Sequence, residues 1–201
     1  MTNPSRLLLV ALIAGSQIGV AQPPSTVTTS EPGIYPLADL FTRSDKVALV
    51  KVVSGDTEAY DVAIYKAQVV KGFKGLSAGD TVYFGPYIGT ELGSEYILFL
   101  RDRQKTIEPK ARTDGGYGVV NYSEVFDEGY SSMLTSYECV FSGASINQQC
   151  DYGVRVCTDY IKLPKSLPAF PADENAAPFG CRWVRKAAFI SVLEDLGGKK
   201  N

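Results

Sequence analysis

Histidine, the side chain that most often transfers protons or binds metals near neutral pH, does not occur among the 201 residues. Ser-His-Asp triads, Cys-His pairs and histidine-ligated zinc or iron sites all need an imidazole group. The sequence therefore excludes these classes of active site. Chemistry based on carboxylates is the main class that remains open.

Three carboxylates close in sequence are the candidates for such chemistry. Glu124, Asp127 and Glu128 could supply the two acids that glycoside hydrolysis places about 5 to 10 Å apart. They also suit a solvated turn at a helix start, and we favour this interpretation because nothing in the sequence marks a pocket. Ser131 and Ser132 have no imidazole base and no S-x-x-K spacing beside them. We therefore predict a non-enzymatic protein with no catalytic residues, no cofactor and no metal.

The four cysteines, all in the last third of the chain, predict two disulfides in an oxidising compartment. Cys139, Cys150, Cys157 and Cys181 allow three pairings. Short-range closure favours Cys139 with Cys150 and Cys157 with Cys181. A four-thiolate zinc site would need C-x2-C pairs, which these spacings do not supply.

The first 21 residues have the three parts of a secretory signal peptide. Arg6 precedes the apolar run Leu7–Ala14, and small residues at 19–21 suit a signal peptidase. A buried N-terminal helix or a membrane anchor is the alternative, but a spanning helix needs about 20 apolar residues. We expect cleavage before Gln22, a flexible lead at 22–35, and a secreted or periplasmic protein without a membrane span.

The charge balance bears on possible partners. The chain has 20 basic and 22 acidic residues, a formal net charge of −2. Binding to nucleic acid depends on a basic surface that neutralises phosphates. We therefore expect no nucleic-acid partner.

Hydrophobic periodicity predicts a short helix followed by strands. Apolar residues at i, i+3 and i+4 place the helix at 36–44. Five strands are predicted at 47–53, 60–70, 81–84, 95–101 and 119–122, a spacing that favours a small barrel or sandwich. In the second strand the apolar positions change from Val62 and Ile64 to Ala67 and Val69, which predicts a β-bulge or a bend there.

The last third of the chain has a weaker pattern. Residues 123–181 contain the cysteines and a proline-rich stretch, which predicts a loop-rich segment held by disulfides. Val184, Ala188, Val192 and Leu196 recur at intervals of four residues and predict a C-terminal helix over 181–196. Gly197 and Gly198 would end this helix.

The strand region resembles secreted TIMP-like or netrin-type (NTR) domains, which are five-stranded OB-fold barrels. The motifs that carry the resemblance are LADLF at Leu37–Phe41, VALVKVV at Val47–Val53, VVKG at Val69–Gly72, GDTV at Gly79–Val82 and YILFL at Tyr96–Leu100. The resemblance covers about residues 36–102. It implies a mainly β fold: an OB-fold-like barrel over 36–122 with a short N-terminal helix. A disulfide-containing extension at 123–201 would follow, its C-terminal helix packing on the barrel.

The resemblance also implies a binding function. The family inhibits metalloproteases through an N-terminal cysteine, whereas the predicted mature chain begins at Gln22 and its first cysteine is Cys139. The inhibitory residues therefore do not carry over. We expect a secreted, non-enzymatic binding protein, with a protein partner as the first hypothesis.

Two other functions remain open at this point. Tyr83, Tyr87 and Tyr96 are expected on or near the open face of such a barrel, where they could contact a carbohydrate or another small ligand. A hydrolase that depends on the carboxylates at 124–128 is the third hypothesis.

Overall fold

The computed structural model describes residues 34–59, 62–85, 89–107, 120–126, 132–140, 149–171 and 180–198. The predicted signal peptide at 1–21 and the lead up to residue 33 lie outside these ranges. Four candidate residues also lie outside them: Tyr87, Asp127, Glu128 and Ser131.

The described residues form eleven strands and two helices, so the predicted mainly β fold is confirmed. The helices are α1 (Leu37–Arg43) and α2 (Lys186–Gly198). The strands are β1 (Tyr35–Pro36), β2 (Lys46–Ala59), β3 (Val62–Lys74), β4 (Thr81–Gly85), β5 (Glu95–Ile107), β6 (Val120–Val125), β7 (Ser132–Val140), β8 (Gln149–Cys157), β9 (Ile161–Lys162), β10 (Ala169–Pro171) and β11 (Cys181–Arg185). The predicted first helix is α1, and the five predicted strands are β2 to β6.

Strand β5 connects the two parts of the main sheet. One of its edges pairs antiparallel with β2. Its other edge is divided, because Glu95–Leu98 pairs with β7 and Leu100–Ile107 pairs with β6. Strand β6 also pairs in parallel with β4, so the pairing runs from β5 through β2, β3, β4 and β6 back to β5. In the other direction β7 continues into β8, β11 and β10, which we call the wing.

The long apolar runs of β2 and β5 are explained by burial on both faces. In β5, Tyr96, Leu98 and Leu100 belong to one apolar cluster, whereas Ile97 and Phe99 belong to another. We call the first the inner cluster, since it is shared by β2, β3, β4, β5 and β6. We call the second the outer cluster, since it includes residues of both helices.

The outer cluster attaches the helices and the wing to the same face of the sheet. Leu40 of α1 and Phe189 and Leu193 of α2 are fully buried in it, together with Val154 and Val184 of the wing. Lys186, at the start of α2, donates a hydrogen bond to Glu95 of β5 at 2.5 Å. The predicted C-terminal helix therefore exists and packs against the sheet.

Bulges occur in the β2–β3 hairpin; one lies at the predicted level, opposite Lys66–Ala67, but its extra residue is in β2 and not in β3. Ala63, Tyr65, Ala67 and Val69 all belong to the inner cluster, so β3 keeps one alternation through this region. Register shifts instead leave Val53 of β2 and Val70 of β3 without a direct cross-strand partner. These valines are 50% and 44% exposed. Each is the second residue of a Val-Val pair whose first residue is buried, so alternation along the strand places it on the opposite face.

Two predictions for the last third of the chain were wrong. The segment 123–181 is not mainly loop where it is described, because β7 and β8 pair over several residues.

The C-terminal helix begins at Lys186 and not at 181, because Cys181–Arg185 pairs with β8 as β11. Trp183 of β11 lies over Gly153 of β8, where a Cβ atom would come within 2.9 Å of the indole ring. Tertiary pairing thus overrides the helical spacing that begins at Val184.

The predicted disulfide between Cys157 and Cys181 is present and joins neighbouring strands β8 and β11. Cys139 and Cys150 are direct backbone partners in the β7–β8 ladder. Their side chains are outside the described part of the structure, so this second disulfide stays a prediction.

Removal of the Cys157–Cys181 bond should destabilise the fold through the loop that it closes. The bond links residues 24 positions apart, and loop-closure entropy predicts that the double substitution Cys157→Ser, Cys181→Ser lowers the free energy of unfolding by about 2 to 4 kcal/mol. Urea denaturation followed by circular dichroism measures the change. An unchanged transition midpoint would contradict the prediction.

The second disulfide can be tested directly. We expect non-reducing peptide mapping of protein produced under oxidising conditions, with a protease that cleaves between residues 139 and 150, to yield one peptide pair that joins Cys139 to Cys150, because a directly opposed antiparallel pair brings the two backbones close. The Cys157–Cys181 pair is the internal control for the digestion. Free thiols at 139 and 150 would refute the pairing.

Candidate functional site

The tyrosines singled out in the sequence lie in different environments. Tyr96 of β5 is only 5% exposed and belongs to the inner cluster, whereas Tyr83 of β4 is half-buried. Tyr87 falls outside the described residues. The proposed role of these three side chains in ligand binding stays a prediction.

The hydroxyl of Tyr96 has a structural contact in this fold. It accepts a hydrogen bond from the backbone N–H of Glu91 at 2.9 Å, and the Tyr65 hydroxyl accepts one from the N–H of Thr90 at 3.4 Å. The same loop is bound to β2, since the N–H of Gly93 donates to the carbonyl of Val52. Burial raises the pKa of Tyr96 more than the Glu91 hydrogen bond lowers it. Tyr65 and Tyr96 therefore fix the loop at 89–94 against the end of the inner cluster.

The structure describes only one of the three carboxylates predicted for hydrolysis. Glu124 is half-buried in β6, directly across the ladder from Arg101 of β5. Asp127 and Glu128, the other members of the set, lie outside the described residues, so their distance from Glu124 is not defined. Across the described ranges, no group of three or more Asp, Glu or Cys side chains could hold a metal ion.

A serine, a lysine and an aspartate come together at a place that no sequence pattern indicated. The Ser123 hydroxyl donates to Asp102 Oδ1 at 2.9 Å, and Lys46 Nζ donates to the same oxygen at 2.6 Å. Lys46 Nζ also lies 3.4 Å from Ser123 Oγ. Residues 56 and 77 positions apart meet here, so no local motif could have found them.

This network is suited to a structural role. A lysine that activates a serine must act as a base, whereas Lys46 is a donor in an ion pair with Asp102. Burial alone would raise the pKa of Asp102, but hydrogen bonds from Lys46 and Ser123 and the Lys46 charge outweigh it and hold the pKa below its usual value. The network joins β2, β5 and β6 at the place where the cycle of pairings closes.

A concave surface lies between α1, α2 and the segment that follows β9. We call it the α1–α2 cavity; its volume is about 490 Å³. Its apolar lining comes from Pro36, Leu37, Ala38, Leu163, Pro164, Val192 and Leu196. Sequence reasoning assigned these positions to helix faces and a proline-rich loop, and only the packing of three distant segments makes them one surface.

Three polar side chains also line the α1–α2 cavity: Lys162, Ser166 and Asp195. Each is exposed, and within the described residues none of the three takes part in a side-chain hydrogen bond or an ion pair. An apolar surface with a few polar groups at its edge is the usual composition of a binding pocket. The opposite charges of Lys162 and Asp195 favour a ligand that is neutral or dipolar next to its apolar group.

The segment that follows β9 forms one wall of the cavity, and contacts on both sides hold it in place. Strand β9 pairs in parallel with β1, which leads directly into α1. Ile161 and Leu167 are buried in the outer cluster. The wall lies inside the loop that the Cys157–Cys181 disulfide closes. These constraints make the cavity a preformed feature of the fold.

The Asp102 network predicts a specific dependence of stability on pH. The pKa of Asp102 is lower in the folded state than in the unfolded state, so ionised Asp102 stabilises the fold. This stabilisation is complete above the unfolded aspartate pKa of about 3.9 and is lost as pH falls through the folded pKa. We therefore expect Asp102→Asn to reduce the free energy of unfolding near neutral pH. The gap from wild type should close as pH falls below the unfolded aspartate pKa and through the lower, folded pKa.

Urea denaturation at a series of pH values measures this gap. Asp195→Asn is the matched control, because that exposed carboxylate has no ion pair in the described part of the chain. A gap for Asp102→Asn that stays constant down to pH 2 would show that the ion pair does not contribute.

In the described residues, neither helix is long and apolar enough to cross a membrane. Comparison with known protein families, with curated proteins and with solved structures finds no match to this chain. The assignment of a function therefore depends on the chemistry and geometry of the chain itself.

Proposed function

We propose that this chain is a secreted, non-enzymatic binding module with a TIMP/NTR-like OB-type barrel, and that it binds a protein partner in the α1–α2 cavity. The observation that carries the proposal is the cavity: a preformed, mainly apolar recess of about 490 Å³ with uncommitted polar groups at its edge. The polar network that the structure does bring together, Lys46, Asp102 and Ser123, is arranged as an ion pair and not as a catalytic group.

Support for the barrel comes from the strand pairing. In a closed barrel the last strand pairs with an earlier strand, so that neither strand keeps an unpaired edge. Strand β6 meets this condition because it pairs with both β4 and β5. The order of helix, strands and turn motifs over 36–102 is the order of TIMP-like and NTR domains.

Support for secretion comes from two separate parts of the chain. The first 21 residues have the composition of a signal peptide. The disulfide between Cys157 and Cys181 is a bond that persists in oxidising compartments.

The shape and charge of the α1–α2 cavity favour an apolar side chain presented by a protein. Its apolar lining can receive one or two large side chains, since burying such a group contributes about 1.5 to 3 kcal/mol. Lys162, Ser166 and Asp195 at the edge provide both donors and acceptors for the peptide groups on either side of that side chain. A strongly charged partner is disfavoured because the edge carries one charge of each sign.

A free small ligand is the second candidate, and the cavity volume is the observation that favours it. Pockets that bind small molecules measure about 300 to 1,000 Å³, and this cavity lies within that range. Under this alternative the binding residues are those of the α1–α2 cavity, whereas the sequence had pointed to Tyr83, Tyr87 and Tyr96.

Closing the cavity should abolish binding without disturbing the core. Ala38 of α1 is exposed and lines the cavity, so Ala38→Trp should fill its mouth. Ala187→Trp is the matched control, because Ala187 is an exposed alanine of α2 that does not line the cavity. Peptides selected from a displayed library against wild-type protein should share one large apolar residue. They should bind Ala38→Trp at least about tenfold more weakly, the loss of about 1.4 kcal/mol expected for an excluded anchor.

Three readouts separate the outcomes. Selected peptides that bind wild type and Ala187→Trp equally, but not Ala38→Trp, support a protein partner. A retained small-molecule mass in native mass spectrometry, lost only in Ala38→Trp, supports the second candidate. If neither result is found and the neutral dye Nile red binds all three proteins alike, the cavity is not a binding site.

A further inference from the structure

Two arginines from distant parts of the chain lie near one buried aromatic ring. Arg101 of β5 places its Cζ atom 3.7 Å from the centre of the Phe126 ring, and Arg43 of α1 places its Cζ atom 5.4 Å from the same centre. Arg43 also lies 4.9 Å from the centre of the Tyr35 ring, which packs edge-on against Phe126. We call these four side chains the Arg43–Arg101 cluster.

The fold positions both guanidinium groups at the surface. Arg43 is the last residue of α1, and Arg101 follows the buried part of β5. Phe126 comes directly after β6 and is only 2% exposed, so it forms a fixed base beneath the arginines. Arg43 is exposed and Arg101 is half-buried. Both positive charges are therefore held by packing and remain accessible to a ligand.

Two acids close to these arginines in sequence, Asp45 and Asp102, accept hydrogen bonds from other donors. Asp45 Oδ2 accepts the backbone N–H of Asp102 at 2.8 Å. Asp102 Oδ1 accepts Lys46 Nζ and the Ser123 hydroxyl. Glu124, the cross-strand neighbour of Arg101, has another interaction.

As a result, neither Arg43 nor Arg101 forms an ion pair within the described ranges. Three lysines in the same ranges do pair with acids: Lys46 with Asp102, Lys71 with Glu194 and Lys186 with Glu95. The two arginines therefore differ from these lysines in lacking an anionic partner.

We propose that Arg43 and Arg101 form a binding site for an oxyanion, the carboxylate, sulfate or phosphate group of a ligand or partner. A guanidinium stacked on an aromatic ring keeps the N–H donors along its edge, in a planar fork that matches two oxygens of such a group. Two like charges held near one ring repel each other, and a bound anion would neutralise that repulsion. Stacking also reduces the side-chain freedom that would be lost on binding.

This site shares no residue with the lining of the α1–α2 cavity, although Tyr35 directly precedes Pro36 of that lining. The cavity is lined by Leu37 and Ala38 at the start of α1, whereas Arg43 is the final residue of that helix. Loss of one site therefore leaves the other testable, and neither proposal depends on the other.

The test is an NMR titration of the mature protein with sodium sulfate, sodium phosphate and sodium succinate in separate arms. Sodium chloride keeps the ionic strength constant, because screening alone changes charged surfaces. We expect saturable shifts of the backbone amides of Arg43, Arg101 and Phe126 with at least one anion. Sulfate and phosphate acting without succinate would identify a tetrahedral oxyanion, and the reverse would identify a carboxylate; both results support the site.

Variants distinguish a binding site from a purely structural stack. Arg43→Gln, Arg101→Gln should lose the saturable shifts. Arg43→Lys, Arg101→Lys keeps both charges and should bind at least about tenfold more weakly, because the planar fork is lost. Arg182→Gln, at an exposed arginine of β11, is the control and should bind as wild type does. The proposal is overturned if no anion produces saturable shifts, or if both double variants titrate like wild type.

Discussion

The fold depends on how strand β5 uses its two edges. Each residue of a strand can offer backbone hydrogen bonds to at most two neighbours, and β5 gives one edge to β2. Its second edge changes partner at Leu98–Leu100, from β7 to β6. Pairing with β6 closes the cycle that surrounds the inner cluster, and pairing with β7 starts the wing. The same strand therefore supports both parts of the molecule.

Burial of β5 on both faces follows from this position. Its even-numbered residues from Tyr96 to Leu100 complete the inner cluster, and Ile97 and Phe99 complete the outer one. Both helices pack on the outer cluster. The α1–α2 cavity is the space between them and the segment after β9, and this segment lies between the β1–β9 pair and the second cysteine of the disulfide.

Some polar groups of the described residues satisfy one another, whereas others have no ionic partner among those residues. Lys46, Ser123 and Asp102 satisfy one another where β6 meets β5, so a site that resembles a serine–lysine pair is committed to an ion pair. Asp102 therefore has donors of its own, and within the described residues Arg43 and Arg101 lie beside an aromatic ring without an ion pair. The features of this surface that could meet a partner are therefore an apolar recess and a pair of cations, and neither requires histidine.

The sequence by itself determined the features that depend on local periodicity and composition: α1, the five strands β2 to β6, the helical part of α2 and the exclusion of histidine chemistry. It also indicated the Cys157–Cys181 disulfide, because short-range closure limits the choices. Tertiary structure alone decided that Cys181–Arg185 is a strand, that Tyr96 holds a loop, and that Lys46 meets Asp102 across 56 positions. The physical reason is that the partner of a strand edge or a charge depends on how the chain closes on itself, and a local pattern carries no record of that closure.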